Sequence, residues 1–269
     1  MGIKMIAVDM DGTFLDDQKA YNHERFQQLF HQMQEKGIKF VVASGNQYDQ
    51  LKSFFPDNHE KMSFVAENGA NIVLEGEHFD NARLDMKVVL AALAKIETLD
   101  PTAIVLCGKN SAYVSAQLPA ERFESVQFYY PSIKRLENLA DIQTESDDIF
   151  KFALSFPNIN IPGKVAALTD LLAEDLIPVS SGHGDIDLII PGVHKAYGLS
   201  KLCQVWAISP SELAAFGDSG NDIEMLEYAG FSFAMENAQP AVKKAAGKVI
   251  GSNNQESVFD IIEALLLKV

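Results

Sequence analysis

The sequence predicts a doubly wound α/β fold on a parallel sheet, with a smaller α+β module inserted between its two halves. Three observations predict it. Near both ends of the 269-residue chain, apolar stretches of strand length alternate with segments whose apolar residues recur at helical spacing; that alternation is the pattern of a parallel sheet buried on both faces. Each apolar stretch runs into polar or acidic residues, and open α/β sheets bind ligands at the carboxyl ends of their strands. Between about residues 82 and 190 the texture changes to short strands in hairpin-like succession interleaved with helices. The expected division is a core of residues 1–81 and 191–269 and an insertion of residues 82–190, consistent with about 150 residues per domain.

In chain order, MIAV (residues 5–8) is apolar enough for a buried strand and leads into Asp9, Asp11, Gly12 and Thr13. Residues i and i+2 of a strand share a face, so both acids lean the same way if the strand continues through Asp11. Two such charges repel unless a cation or a shared proton compensates them. A helix follows over about 22–36, with Phe26, Leu29, Phe30 and Met33 on one face, Asn22 as N-cap and Gly37 just past its end. IKFVVASGN gives a strand ending at Ser44-Gly45, and SFVAENGA a strand ending at Glu67-Asn68-Gly69. NIVLEGEHF reads as a hairpin turning at Glu75-Gly76. In the insertion, TAIVLC, AYVSA, FKFALSF, IPVSS and DIDLII are expected strands of an antiparallel sheet, with helices near 83–96, 119–129 and 162–173. A helix from Lys195 then leads to LAAFGDSGND, again a strand running into acids, and the chain closes with a helix carrying Val258, Ile261, Ile262 and Leu265 at i, i+3, i+4 and i+7.

Composition narrows the function. Hydrophobic residues make up 47% of the chain, ordinary for a folded globular protein, and the net charge is −15. That charge argues against nucleic acid, whose phosphates require a basic face, and against an anionic membrane surface. An anionic substrate therefore needs a local cation at the site. Cys107 and Cys203 fit no metal or redox spacing and are expected as buried thiols. The N-terminal residues form neither a signal peptide nor a membrane span, which predicts a cytoplasmic protein. Sequence alone leaves a monomer and a small homo-oligomer equally open.

Gathered at the predicted carboxyl edge are Asp9, Asp11, Ser44, Gly45, Asn46, Asn68, Asp218, Asn221 and Asp222, with Lys195 at the head of a neighbouring helix. Asp9, Asp11 and Asp218 are hard oxygen donors that suit Mg²⁺, which takes one or two carboxylates together with waters and substrate phosphate. Ser44-Gly45 can offer a hydroxyl and backbone N–H groups to an anion, and Lys195 is a compact charge for a phosphate. The set reads as phosphoryl transfer on a small phosphorylated substrate, which depends on positioning and charge neutralisation.

DMDGT (9–13), ASG (43–45), HKAYG (194–198) and GDSGND (217–222), in that order, resemble the four motifs of the haloacid dehalogenase (HAD) superfamily. The resemblance is to its Cof-type branch with a large inserted cap, and in particular to bacterial sugar-phosphate phosphatases. It implies a HAD-like Rossmannoid core and a cap that sets substrate specificity. It also implies Asp9 as the nucleophile that becomes an aspartyl-phosphate, and Asp11 as general acid and then base. Mg²⁺ would be held by the Asp9 side chain, the Asp11 backbone carbonyl and Asp218, with Asp222 at one remove. Ser44, Gly45, Lys195 and Asn221 would hold the phosphoryl oxygens. Asn46 stands where many relatives carry arginine, so it can hydrogen-bond but not neutralise charge; it is expected near the phosphate or the leaving group. Asn68, His183 and Asp187 are candidate specificity residues. Two alternatives stay open: a phosphomutase or phosphotransferase on the same core, and a phospho-accepting switch, which needs no cap-sized insertion.

Overall fold

In the computed structural model, residues 2–157, 160–172, 175–182 and 185–268 are described. From its start the chain forms β1 (Met5–Val8), α1 (His23–Glu35), β2 (Lys39–Ala43), α2 (Tyr48–Ser53), β3 (Ser63–Ala66), β4 (Asn71–Leu74) and β5 (Glu77–Asn81). It continues through α3 (Met86–Ile96), β6 (Ala103–Gly108), β7 (Ala112–Ser115), α4 (Ala120–Tyr129), β8 (Ile133–Leu136), β9 (Ile149–Ser155), α5 (Ile161–Leu172), β10 (Ile177–Gly182) and β11 (Asp185–Ile189). The remainder is α6 (Lys195–Trp206), β12 (Leu213–Gly217), α7 (Ile223–Tyr228), β13 (Phe231–Ala234), α8 (Pro240–Ala245), β14 (Lys248–Val249) and α9 (Ser257–Leu266).

Eight strands make one sheet in the order β14–β13–β12–β1–β2–β3–β4–β5, parallel from β14 to β3 and antiparallel at the β4–β5 edge. The walk from β1 to β2 goes one way along the sheet and the walk from β12 to β13 the other. Right-handed crossovers therefore put α1 and α7 on opposite faces. The order reverses between β1 and β12, which makes their carboxyl ends the switch point of the sheet. Local chemistry agrees with this architecture. The Asn22 side chain accepts from the Arg25 N–H at 3.1 Å and caps α1, whose Phe26, Leu29, Phe30 and Met33 are buried. Glu75 and Gly76 both have positive φ, as a two-residue hairpin turn with the sheet's twist requires. Phe14, one residue past the DMDGT run, packs edge-on to Phe26 and Phe259 and tilted against Phe55, and anchors that loop to the core. Among the described residues no helix is long and apolar enough to cross a membrane.

The second sheet runs β10–β11–β9–β6–β7–β8. It is not wholly antiparallel, as the hairpin texture had suggested: β7 and β8 pair in parallel, with α4 as the crossover between them. Strand β8 (IKRL) was not foreseen, because it is an edge strand that carries Lys134 and Arg135 exposed, and charges of that kind protect an edge. The two faces differ sharply. Phe152, Leu154, Ile186 and Leu188 pack with α3 and α5 in an apolar cluster. The alternate positions, Lys151, Ala153 and Ser155 on β9 and Asp185 and Asp187 on β11, belong to the other face, where α4 packs and which looks onto the carboxyl edge of the first sheet.

A buried ion cluster joins the two layers. The Lys151 ammonium lies 2.9 Å from Asp187 on its own sheet and 3.6 Å from Glu67, which follows β3 of the other sheet. Neither oxygen of Glu67 has a hydrogen-bond donor among the described residues. Burial pushes the Glu67 carboxyl up to about 7, against the pull of Lys151 and with the help of Asp187. Since Glu67 titrates near 4.5 when solvated, the folded chain binds the extra proton between those values, and stability falls as pH rises through that window. Glu67→Gln removes this dependence. Its melting temperature relative to wild type should rise by about 3 °C or more between pH 5 and pH 8; a pH-independent offset in paired melting curves would contradict this account.

Candidate active site

The parallel register pairs Val8 with Phe216 and Val8 with Val42, so Asp9, Asp218 and Ser44 leave their strands nearly level. The chain does not stay extended through Asp11. Strand β1 ends at Val8, and the N–H groups of Thr13 and Leu15 turn back onto the Met10 carbonyl while that of Phe14 bonds the Asp9 carbonyl. The two acids consequently face different partners, not one shared neighbour. Gly12 closes this turn at φ +78°, and a Cβ there would sit 2.7 Å from Asp218 Oδ2.

Lys195, at the first turn of α6, is fully buried, with its Nζ 2.6 Å from both Asp9 Oδ1 and Asp222 Oδ1. The His194 side chain caps that helix by accepting from the Tyr197 N–H. Burial alone would lower the Lys195 pKa; the carboxylates of Asp222 and Asp9 outweigh it and hold the ammonium above its ordinary range. Asp222 is committed twice over: its Oδ2 accepts from the backbone N–H groups of Asp218 and Ser219, each at 2.9 Å. Asp218 accepts from the hydroxyls of Thr13 (2.9 Å) and Ser219 (3.1 Å). Carboxylate oxygens of Asp9, Asp218 and Asp222 all lie within 4.8 Å of one another. Burial, reinforced by Asp222, pushes Asp218 up to about 6. Asp9 is also driven upward by burial, with Lys195 opposing and Asp222 and Asp218 adding to the rise. Three buried carboxylates facing one ammonium leave excess negative charge, and this donor set fits a hard divalent cation.

Beside this cluster a cavity of about 230 Å³ opens between the two sheets. Asp9, Asp11, Ser44, Gly45, Asn46 and Asn221 line its floor. Among the described residues no donor reaches the second oxygen of Asp9. Asp11 accepts from Asn46 Nδ2 at 2.7 Å on one oxygen and from the Lys19 ammonium on the other. The Ser44 hydroxyl oxygen accepts from the Asn46 N–H at 3.2 Å, which leaves its own proton to donate.

The far wall belongs to the second sheet and α4. It includes Arg122, Tyr129, Lys151, Phe156, Asp185 and Asp187. Asp187 thus lines the cavity, whereas Asn68 lies behind it, held at φ +54° with its amide donating to Asp187 and accepting from Asn221 Nδ2 at 3.0 Å. This packing explains the glycine of ASG: a Cβ on Gly45 would meet Asp187 at 2.9 Å and the Asn68 amide at 3.3 Å. Lys195, Asp218 and Asp222 also stand behind the lining, and His183 lies outside the described residues. Lys19, Arg122, Tyr129 and Lys151 were not anticipated. The signal available for Lys151 and Asp187 was the two-residue alternation of KFALS and DIDLI, in which polar positions repeat on a single face.

Comparison with known proteins places this geometry. The haloacid dehalogenase-like hydrolase family matches residues 6–262. The chain is 47% identical to the Escherichia coli 5-amino-6-(5-phospho-D-ribitylamino)uracil phosphatase YbjI, over 99% of this chain and 97% of that one. It is 28% identical to the pyridoxal phosphate phosphatase YbhA of the same organism, over 99% of this chain and 100% of the relative. Among solved structures, SMU.1108c of Streptococcus mutans superposes with a TM-score of 0.93 at 35% identity, over 99% of this chain and 100% of that one. A haloacid dehalogenase-like hydrolase of Bacillus subtilis gives 0.86 at 25% identity, over 97% and 99%. A chain that carries these motifs on this sheet edge, and matches along nearly its whole length, belongs to the haloacid dehalogenase-like hydrolase family.

Proposed function

We propose that this chain is a Mg²⁺-dependent phosphomonoesterase that cleaves small phosphorylated metabolites through an aspartyl-phosphate on Asp9. The observation that carries the reading is the state of Asp9: one oxygen is fixed by Lys195, and no donor among the described residues reaches the other, in a residue that lines a cavity Asp11 also lines. A carboxylate held in this way suits in-line attack on phosphorus. Asp11 then protonates the departing alkoxide and afterwards takes a proton from the hydrolytic water. Ser44, Gly45 and Asn221 bind the phosphoryl oxygens, and Lys195 keeps Asp9 and Asp222 in register. Asp9 and Asp218, with the Asp11 backbone carbonyl, would hold Mg²⁺, while Asp222, whose oxygens are already engaged, orients the loop that carries Asp218. When bound, the ion supplies positive charge to the phosphate and offsets the crowding of carboxylates.

Residues 82–190 are read as the cap that covers the site and selects the leaving group. Its wall combines the rings of Tyr129 and Phe156 with Arg122, Lys151 and Asp187, chemistry suited to a leaving group with hydroxyls or ring carbonyls beside a flat face. That wall and the 47% identity to YbjI make a phosphorylated polyol bearing a pyrimidine, such as 5-amino-6-(5-phospho-D-ribitylamino)uracil, the first substrate to test, ahead of simple sugar phosphates.

A phosphate-release panel should include that compound, ribose and hexose phosphates and pyridoxal phosphate. It should show free phosphate from at least one, with the ribitylaminouracil ester fastest; phosphate moved only onto a second sugar would indicate a mutase. Asp9→Asn should keep its fold by circular dichroism and fall below about 1% of wild-type turnover; survival of activity above a few per cent would exclude the covalent route. Treatment with EDTA should abolish turnover and added Mg²⁺ should restore it; turnover indifferent to chelation would remove the metal from this reading.

A further inference from the structure

Residues 16–20 form a tight turn closed by its own backbone and by the Asp16 side chain. The Asp16 N–H bonds the Ala20 carbonyl and the Lys19 N–H the Asp16 carbonyl, while Asp16 Oδ1 accepts from the N–H groups of Gln18 and Ala20 at 2.9 Å each. Lys19 is thereby held at φ +60°, a costly conformation for a residue with a Cβ. The turn is also tied from outside. Asn253 Nδ2 donates to the Leu15 carbonyl and to Asp17 Oδ1, and Asn254 Nδ2 donates to Asp17 Oδ2 at 3.0 Å. What this construction presents is the Lys19 ammonium, which meets Asp11 Oδ1 and stands 5.9 Å from the centre of the Tyr129 ring on α4. Tyr129 and Asp11 line opposite sides of the same cavity.

We propose that Lys19 is a positioning residue for the leaving-group step: it orients the Asp11 carboxyl and, through Tyr129, ties that orientation to the placement of α4. The inference rests on the reading of Asp11 as general acid. An ammonium has three donors and no acceptor, so the Asp11 oxygen it holds is favoured as the unprotonated, carbonyl oxygen. That directs the proton to Oδ2, beside Asn46, which also lines the cavity and whose amide can present either a donor or an acceptor. In the step itself the Asp9–phosphorus bond forms as the phosphorus–oxygen ester bond breaks. The proton on Asp11 Oδ2 passes to the leaving oxygen, and Asp11 is left as a carboxylate that Lys19 and Asn46 hold.

The test compares an alkyl ester, ribose 5-phosphate, with 4-nitrophenyl phosphate, whose leaving group departs without protonation. Three single variants of the full chain are compared, Asp11→Asn, Lys19→Met and Tyr129→Leu, together with the double variant of Lys19 and Tyr129. Lys19→Met should lower kcat on the alkyl ester about tenfold and on the aryl ester less than about twofold, with both KM values little changed. Lys19→Arg should recover part of the loss. Tyr129→Leu should shift the two substrates in the same sense, and the double variant should be no slower than Lys19→Met alone. Equal losses on both esters for Lys19→Met, beside a clear split for Asp11→Asn, would overturn the role of Lys19. Additive losses in the double variant would overturn the link to α4. Absence of a split in Asp11→Asn would instead overturn the general-acid reading itself, and leaves Asp9 to be judged by its own variant.

Discussion

Everything at the sheet edge is organised around one buried ammonium. Lys195 has no exposed surface and bonds Asp9 and Asp222 at 2.6 Å each. An ion of this kind is stable inside a protein only when its partners are close and their remaining lone pairs are also occupied. The neighbourhood meets that condition: Asp222 takes two backbone N–H groups, and Asp218 takes two hydroxyls. The exception is the second oxygen of Asp9, for which the described residues provide no donor. Within this network of described residues, that oxygen is the position left open toward the cavity.

The second sheet serves the first by keeping its two faces chemically distinct. One face is an ordinary apolar core against α3 and α5. The other places Lys151, Ser155, Asp185 and Asp187 over the cavity, and the Lys151–Asp187–Asn68–Asn221 contacts carry polar connectivity from one sheet to the other. The two sheets therefore share one polar wall of the cavity. A change at Asp187 reaches Gly45 and Asn68 as directly as it reaches the cavity.

How much of this was legible depends on the range of the interaction. Local signals were read correctly: the Asn22 cap, the apolar faces of α1 and α9, the Glu75-Gly76 turn and the helix from Lys195 are all specified by neighbours in sequence. The family motifs brought Asp9 and Asp218 to one place because each follows a strand of the same parallel sheet, and Lys195 meets them from the first turn of α6. Strand β8 was missed, since a charged edge strand resembles a loop, and so was its parallel pairing. A common face for Asp9 and Asp11 depended on the strand continuing through Asp11, and strand parity does not survive the turn at Met10. Lys19 gave no signal at all: its importance depends on Asn253 and Asn254 pinning the turn from the opposite end of the chain.

The order of synthesis gives the central sheet a further property. Strand β1 pairs with β12, about two hundred residues downstream, while the chain leaves the sheet after β5 at Ala82 and returns near Ile190 and Val193, in one small apolar cluster. A growing chain that has emerged only as far as β5 holds Asp9 without Lys195, the ammonium that fixes one of its oxygens. The cluster of Asp9, Asp218 and Asp222 around Lys195 is thus completed last, once β12 and the residues that follow it have emerged.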